Sequence, residues 1–498
     1  MTRSWIVPIF ASLVGSSCMI GPKYVRPVAQ APPAMKELTG NDQWKMATPS
    51  DELLKGNWWE IFGDERLNGL EQQVQVNNFN VKQAEAQFRQ ARALIALNHA
   101  NYYPTIGSTP AITQSDIGKN SRGVGTNQQF SLTAAATWEP DLWGRVRLSV
   151  ENAVDNAQVS AADIQNILLS QQALLATDYF ALAANDMQRD VLNQTIDAYQ
   201  KNLQLTLDRF KFGVASRSDV ALAQTQLDGA RSQLTDLAVT RAPLEHAIAM
   251  LTGQAPSSLE IGSTKIAAPP PPIPLAVPSR LLERRPDIAA NERLVAAANA
   301  NIGIAQTAFY PTLTLSATTG LLTNNLANLF TYGSRYWSAG PNISETLFDF
   351  GRRGAQLEAN QAAYDATVAA YRQTVLAAFQ EVEDDLAELH HLAEEAVIQD
   401  EAIKAAQESL NLELDRYKAG TDSYLNVITT QTILLGDQIT AVTILQRRMT
   451  AGVDLAKAVG GGWDASTLPS GDALRAITMT GQTKAPYPSS KPENPLKP

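Results

Sequence analysis

Arg209-Phe210-Lys211-Phe212-Gly213 returns 207 residues further along the chain as Arg416-Tyr417-Lys418-Ala419-Gly420. Between 209–229 and 416–436, 9 of 21 positions are identical. The same offset carries Tyr103-Pro104 onto Tyr310-Pro311, Gly144-Arg145 onto Gly351-Arg352 and Gly253 onto Gly460. One offset kept over so long a stretch marks an internal duplication. The copies span 70–253 and 277–460, with a proline-rich connector over 254–276. Its Pro269-Pro270-Pro271-Pro272 excludes helix and makes a stiff extended run.

Each copy reads in the order helix, two strands, very long helix, turn, helix. Residues 145–212 and 355–419 contain neither Gly nor Pro and are rich in Ala, Gln, Leu, Asp and Glu, which suits helix. Tyr364, Val368, Tyr371, Val375, Phe379, Val382, Leu386 and Leu389 recur at spacings of 3 and 4, as one buried helical stripe requires. A helix of about 68 residues would be about 100 Å long, which belongs to coiled coils and helical tubes. Gly213-Val214-Ala215-Ser216 and Gly420-Thr421-Asp422-Ser423 then break the two helices. Gly takes the left-handed conformation that stops a helix, and Ser216 or Ser423 caps the next one. Each copy is therefore a long antiparallel helical hairpin with a tight tip.

The segments ahead of the long helices alternate. Phe130, Leu132, Ala134, Ala136 and Trp138 interleave with Ser131, Thr133, Ala135 and Thr137, and Leu313, Leu315 and Ala317 with Thr312, Thr314 and Ser316. Trp337, Ala339 and Ile343 follow at period 2. One apolar and one small polar face is a strand signature, and strands of about 10 to 14 residues cross a bilayer when tilted. Polar loops are expected at 116–127 and 323–335, with an interfacial girdle from Tyr102, Tyr103, Trp138, Trp143, Tyr310, Tyr336 and Trp337. Four strands cannot close a barrel, and open edges cannot sit in lipid. Several chains must then share one.

The composition agrees once it is read this way. The chain has 498 residues, 44% hydrophobic, with 40 Lys+Arg against 50 Asp+Glu. A net charge of −10 argues against a nucleic-acid partner. A single cysteine excludes an intramolecular disulfide and any zinc or iron–sulfur site built on cysteines. No run reaches the roughly 18 apolar residues of a spanning helix. Residues 1–17 have the layout of a secretory signal, with Gly15-Ser16-Ser17 before Cys18. Cys18 is the expected lipid acceptor, and Met19 after it favours the outer membrane by the usual bacterial sorting rule. Residues 483–498, with five prolines, read as a disordered tail.

The chain resembles the outer-membrane efflux lipoproteins of Gram-negative bacteria, in the NodT/OprM-like branch of the TolC family. The resemblance covers nearly the whole mature chain. It is carried by Cys18-Met19-Ile20-Gly21-Pro22-Lys23-Tyr24-Val25-Arg26-Pro27, by Leu281-Leu282-Glu283-Arg284-Arg285-Pro286-Asp287-Ile288, by Phe309-Tyr310-Pro311 and by Leu347-Phe348-Asp349-Phe350-Gly351. It implies an α+β membrane protein: a homotrimer whose four transmembrane strands per chain make a 12-stranded β-barrel in the outer membrane, above a 12-helix periplasmic tube. It assigns 18–69, the connector and 461–498 largely to an equatorial belt. It implies a passive exit duct for drugs or other toxic compounds, served by a periplasmic adaptor and an inner-membrane pump of RND type.

By the same resemblance Gly213, Val214, Ala215, Ser216, Gly420, Thr421, Asp422 and Ser423 receive the adaptor. Leu425, Asn426 and Thr429 form the periplasmic gate. Relatives often carry Asp at the position of Thr429 and some at Asn426, so this constriction is expected to be less acidic. Asp219 and Tyr417 match a latch that ties one helical hairpin to the next. A second tie is expected to be missing, because Asp422 stands where relatives have Arg.

An enzyme is the first competing reading. His99, His246, His390 and His391 fall in no HExxH pattern, and no GxSxG, P-loop or GxGxxG occurs. No cofactor or metal is expected. A structural coiled-coil lipoprotein of the envelope would explain the helices but not the alternating strands.

Overall fold

The computed structural model describes residues 19–28, 32, 35–38, 57–117, 125–271, 273 and 283–480. The signal at 1–17, Cys18, the tail 483–498 and part of the connector lie outside the described residues.

Helices α1 (Glu65–Asn77) and α2 (Phe79–Ala100) lead into β1 (Thr105–Ile117) and β2 (Gly125–Trp138), then α3 (Arg145–Lys211) and α4 (Arg217–Leu251). The second copy runs α5 (Pro286–Thr307), β3 (Thr312–Thr323), β4 (Arg335–Ser344), α6 (Arg352–Ala419) and α7 (Tyr424–Ala458), and α8 (Gly471–Thr480) follows. Asp64 and Asn78 cap α1 and α2 through their side chains, each accepting from two backbone N–H groups. α3 and α6 have 67 and 68 residues and are about 100 Å long at 1.5 Å per residue. One stretch of α3 is apolar enough for a membrane helix, but over half of that stretch is buried inside the protein.

The expected stripe on α6 is the core. Tyr371, Val375, Phe379, Val382, Leu386 and Leu389 are buried, with Tyr364 and Val368 partly buried beside them. They pack with residues of α1, α3 and α7 and with Trp58 and Trp59 in the largest apolar cluster. Arg285, at the entrance to α5, is buried and grips Asp287 at 2.7 Å and Glu381 at 2.6 Å, which fastens the start of the second copy to α6. Asp186 of α3 holds Arg241 of α4 at 3.0 Å and accepts from the Thr264 N–H, tying the connector to the first hairpin.

The four strands form one antiparallel sheet in the order β1-β2-β3-β4. The register sorts the side chains onto two faces, because alternate residues point to opposite sides. Ile106, Pro110 and Ile112 share a face with Leu132, Ala134 and Ala136, with Leu313, Leu315 and Ala317, and with Trp337, Ala339 and Ile343. The other face carries Thr105, Thr109, Ser131, Thr133, Thr137, Ser316, Thr318, Ser338 and Asn342, together with Leu322. Thirteen, 14, 12 and 10 residues suffice to cross a bilayer.

Two expectations change here. β1 and β2 stay paired as far as Ile117↔Gly125, further into the segment read as a loop over 116–127, because the ladder is held by backbone groups and continues through the uniformly polar Thr113–Asp116. Tyr336 does not join the girdle. It lies on the polar face one residue from Trp337, with its hydroxyl 2.6 Å from that of Thr133.

α1 holds one ionisable anomaly. Glu71 is fully buried, both its carboxylate oxygens lack a hydrogen-bond partner, and burial pushes it up to about 9. An acid raised this way binds a proton when folded and loses it when unfolded, from about pH 4 upward. Stability therefore falls as pH rises from about 4 towards about 9. Glu71→Gln is expected to raise the melting temperature at pH 8 but scarcely at pH 5. Equal shifts at both would contradict a buried, protonated Glu71.

Candidate functional site

The residues flagged by the repeat lie at the two hairpin tips, far along the helices from the sheet. At the first, α3 stops because Gly213 takes φ +73, and the N–H groups of Val214 and Ala215 close on the Arg209 carbonyl at 2.8 and 3.3 Å. Ser216 opens α4 with a capping box: its hydroxyl accepts from the Asp219 N–H at 3.1 Å, and the Asp219 carboxylate accepts from the Ser216 N–H at 2.9 Å. Phe212 and Val214 stand exposed on this turn. At the second tip Gly420 takes φ +77 and the Thr421 N–H bonds the Arg416 carbonyl at 3.0 Å.

Ser423 does not cap α7 with its side chain. Asp422, one residue earlier, accepts from the Ser423 N–H and from Asn426 Nδ2, each at 2.7 Å, and lies 3.5 Å from Arg416. The Ser423 N–H bond, then Asn426 and the Arg416 charge, hold the Asp422 carboxyl below its ordinary range. Asp422 thus steadies the turn ahead of α7 without capping the helix.

Asp219 and Tyr417 are not joined within the chain. The Asp219 carboxylate is engaged in the capping box, and the buried Tyr417 hydroxyl donates to Thr206 Oγ1 of α3 at 3.4 Å. Arg209 adds a charged tie between the hairpins beside that bond. Its guanidinium donates to the Lys418 carbonyl at 3.0 Å and lies 4.6 Å from the centre of the Tyr417 ring. Tyr417 in turn packs on Tyr424 with ring centres 5.1 Å apart, and burial pushes the Tyr424 hydroxyl up. Ala223, Leu410, Val427 and Ile428 close a small apolar core around the pair. Leu425, Asn426 and Thr429 all face outward on α7, while Val427 and Ile428 face in. That exposed face carries no carboxylate at the three positions. Arg209 was visible as a repeated residue, but its partner is a backbone carbonyl, which leaves no mark in a side-chain pattern.

A family model described as outer membrane efflux protein matches the chain twice, over residues 70–254 and 277–461. The chain belongs to the outer membrane efflux protein family. The probable efflux pump outer membrane protein TtgC of Pseudomonas putida is 29% identical over 479 residues, 93% of this chain and 96% of the relative. The pyoverdine export outer membrane protein OpmQ of Pseudomonas aeruginosa is 29% identical over 437 residues, 86% of this chain and 92% of the relative. Among solved structures, the outer-membrane channel OprN aligns with a TM-score of 0.82 at 26% identity, covering 90% of this chain and 100% of that one. VceC of Vibrio cholerae aligns at 0.75 and 26% identity, covering 82% of this chain and 100% of that one. The family places the protein in the outer membrane, with its helices reaching into the periplasm.

Proposed function

We propose that three copies of this chain form the passive exit duct of a tripartite efflux system, passing small molecules such as drugs or other toxic compounds from an inner-membrane pump and a periplasmic adaptor to the outside. One observation carries the reading. The four-stranded sheet has an apolar face, a small polar face and two open edges. Such a sheet is stable in lipid only when its edges close on other strands, with the apolar face outward and the polar face around water. Three chains give 12 strands, within the range of known barrels.

The long helices then continue the water-filled path across the periplasm. The tips Gly213–Ser216 and Gly420–Ser423 receive the adaptor, and an RND-type pump supplies the energy. Leu425, Asn426 and Thr429 line the constriction, which without Asp at Asn426 or Thr429 traps cations less than an acidic ring would. Cys18 carries the lipid anchor. The Ile20 N–H donates to the Trp143 carbonyl at 3.1 Å, so the chain next to Cys18 runs along the junction of sheet and helices, where acyl chains would meet the bilayer.

The test is complementation. A strain lacking this chain should regain resistance to the exported compounds when the wild-type chain is restored. A restored chain that reaches the outer membrane as a trimer yet leaves sensitivity unchanged would contradict the duct.

A further inference from the structure

The middle of α6 is acidic. Between Arg372 and Lys404 it carries nine Asp and Glu and no Lys or Arg. Two of the four histidines of the chain, His390 and His391, stand inside this stretch. They lie at least about 40 Å from either end of the helix at 1.5 Å per residue, away from both the sheet and the tips. Leu386, Leu389 and Leu392 beside them are buried in the core stripe, whereas His390 is half-buried and His391 and Glu394 are exposed.

Glu394 stands three residues after His391 and four after His390, the two spacings at which side chains meet on a helix. Its Oε1 lies 3.6 Å from His390 Nε2, and its Oε2 lies 3.4 Å from His391 Nδ1. The two rings have centres 5.2 Å apart and planes crossed at 66°. One donor atom from each of the three side chains falls within 4.8 Å of the other two, and among the described residues this is the one group of three so gathered. Nearby carboxylates are engaged elsewhere: Arg447 of α7 reaches Glu388 at 3.4 Å and Glu395 at 3.8 Å. Glu394 faces the imidazoles instead. The helix itself does not require the group, since the same positions in the first copy are Ala183, Ala184 and Met187.

The spacings suit a metal ion. Around a tetrahedral cation with ligands at about 2.0–2.1 Å, neighbouring ligand atoms stand about 3.4 Å apart. Both His–carboxylate separations are already close to that. The gap between the two ring nitrogens closes by rotation of the exposed His391 side chain. Two imidazoles and one carboxylate select the borderline transition cations, while Mg²⁺ and Ca²⁺ ask for oxygen ligands. The surrounding negative charge raises the local concentration of any cation.

We propose that His390, His391 and Glu394 bind one divalent transition cation of the Zn²⁺ class on the solvent face of α6, with water in the fourth position. Bound across a single turn, the ion joins residues 390 and 394 and stiffens the helix there. A search for HExxH passes over the site because its order is His-His-x-x-Glu. The site belongs to one helix and stands whether or not the chain is a duct.

The test is a titration of the intact, untagged, full-length protein in detergent, stripped of metal, with Zn²⁺ competed against a chromophoric chelator. One Zn²⁺ per chain is expected, undisturbed by equal Mg²⁺. His390→Ala with His391→Ala, and Glu394→Gln alone, should each weaken binding by more than about tenfold, since even the outer-shell partners of a metal ligand carry about 10–100-fold. His99→Ala and His246→Ala should leave it unchanged. With Cu²⁺ as a paramagnetic probe, the coupling of two ring nitrogens should fall to one in His391→Ala. A wild-type chain without saturable Zn²⁺ uptake overturns the site, whatever the variants do. So does Zn²⁺ that Mg²⁺ displaces, or uptake that survives intact in the double histidine variant.

Discussion

Ala317→Arg is expected to abolish the assembled protein in the outer membrane, whereas Thr318→Arg, one residue along the same strand, leaves it in place. Both lie near the middle of β3. Ala317 shares the apolar face with Ala136 and Ala339, its partners across both ladders, and Thr318 sits opposite Ala135 and Ser338 on the polar face. An Arg facing lipid near the bilayer midplane costs about 2–4 kcal/mol, and each trimer would carry three. That is a large part of a typical folding stability of about 5–15 kcal/mol. The same Arg on the polar face stays in water and lowers the preference for cations. Heat-modifiable trimer in the outer-membrane fraction reads the first effect, and reversal potential in planar bilayers reads the second. Equal assembly of the two variants would mean that the faces are assigned wrongly or that the sheet does not face lipid.

Arg209→Ala is expected to open the periplasmic end more than any change at Asp219 or Tyr417. The side chain makes a charged hydrogen bond to the Lys418 carbonyl and stacks on Tyr417, so it joins α3 to the end of α6. A hydrogen bond from a charged donor contributes about 1.5–3 kcal/mol, and a cation–π contact at a partly exposed site about 0.5–1 kcal/mol. Three tips lose it together in a trimer. Tyr417→Phe removes only a 3.4 Å bond to Thr206, and Asp219→Ala removes half of a helix cap at a cost of about 1 kcal/mol. In planar bilayers the open probability should rank Arg209→Ala well above Asp219→Ala and Tyr417→Phe. If Asp219→Ala with Tyr417→Phe opens the channel as far as Arg209→Ala, the clasp is assigned to the wrong residues.

The architecture was legible because it is periodic. Spacings of 3 and 4 from Tyr364 to Leu389 marked a buried stripe, strict alternation from Phe130 to Trp138 marked a two-faced strand, and glycines at 213 and 420 marked the tips. Each of these is a local rule of geometry, so residue order suffices. The tip chemistry was legible only in part. Ser216 caps its helix as its type and position foretold, but at the second tip the Ser423 side chain makes no cap bond and Asp422 instead holds the Ser423 N–H and the Asn426 side chain, a choice that residue type alone does not decide. The expected bond from Asp219 to Tyr417 is not made within the chain, where the carboxylate serves its own helix end and the phenol Thr206. The Arg209 clasp ends on a carbonyl, which every residue owns. Tyr336 was misplaced by one step of the pleat, since a Tyr-Trp pair at a strand end gives one ring to each face.

The central claim is that four strands and two helical hairpins are one third of a duct. The mass of the full-length protein in mild detergent, by light scattering with the detergent contribution subtracted, tests it most directly. The account predicts a particle of three chains of 53.9 kDa, less the cleaved signals, with no monomer at equilibrium. A stable monomer, whose open sheet edges persist without a partner strand, would contradict it.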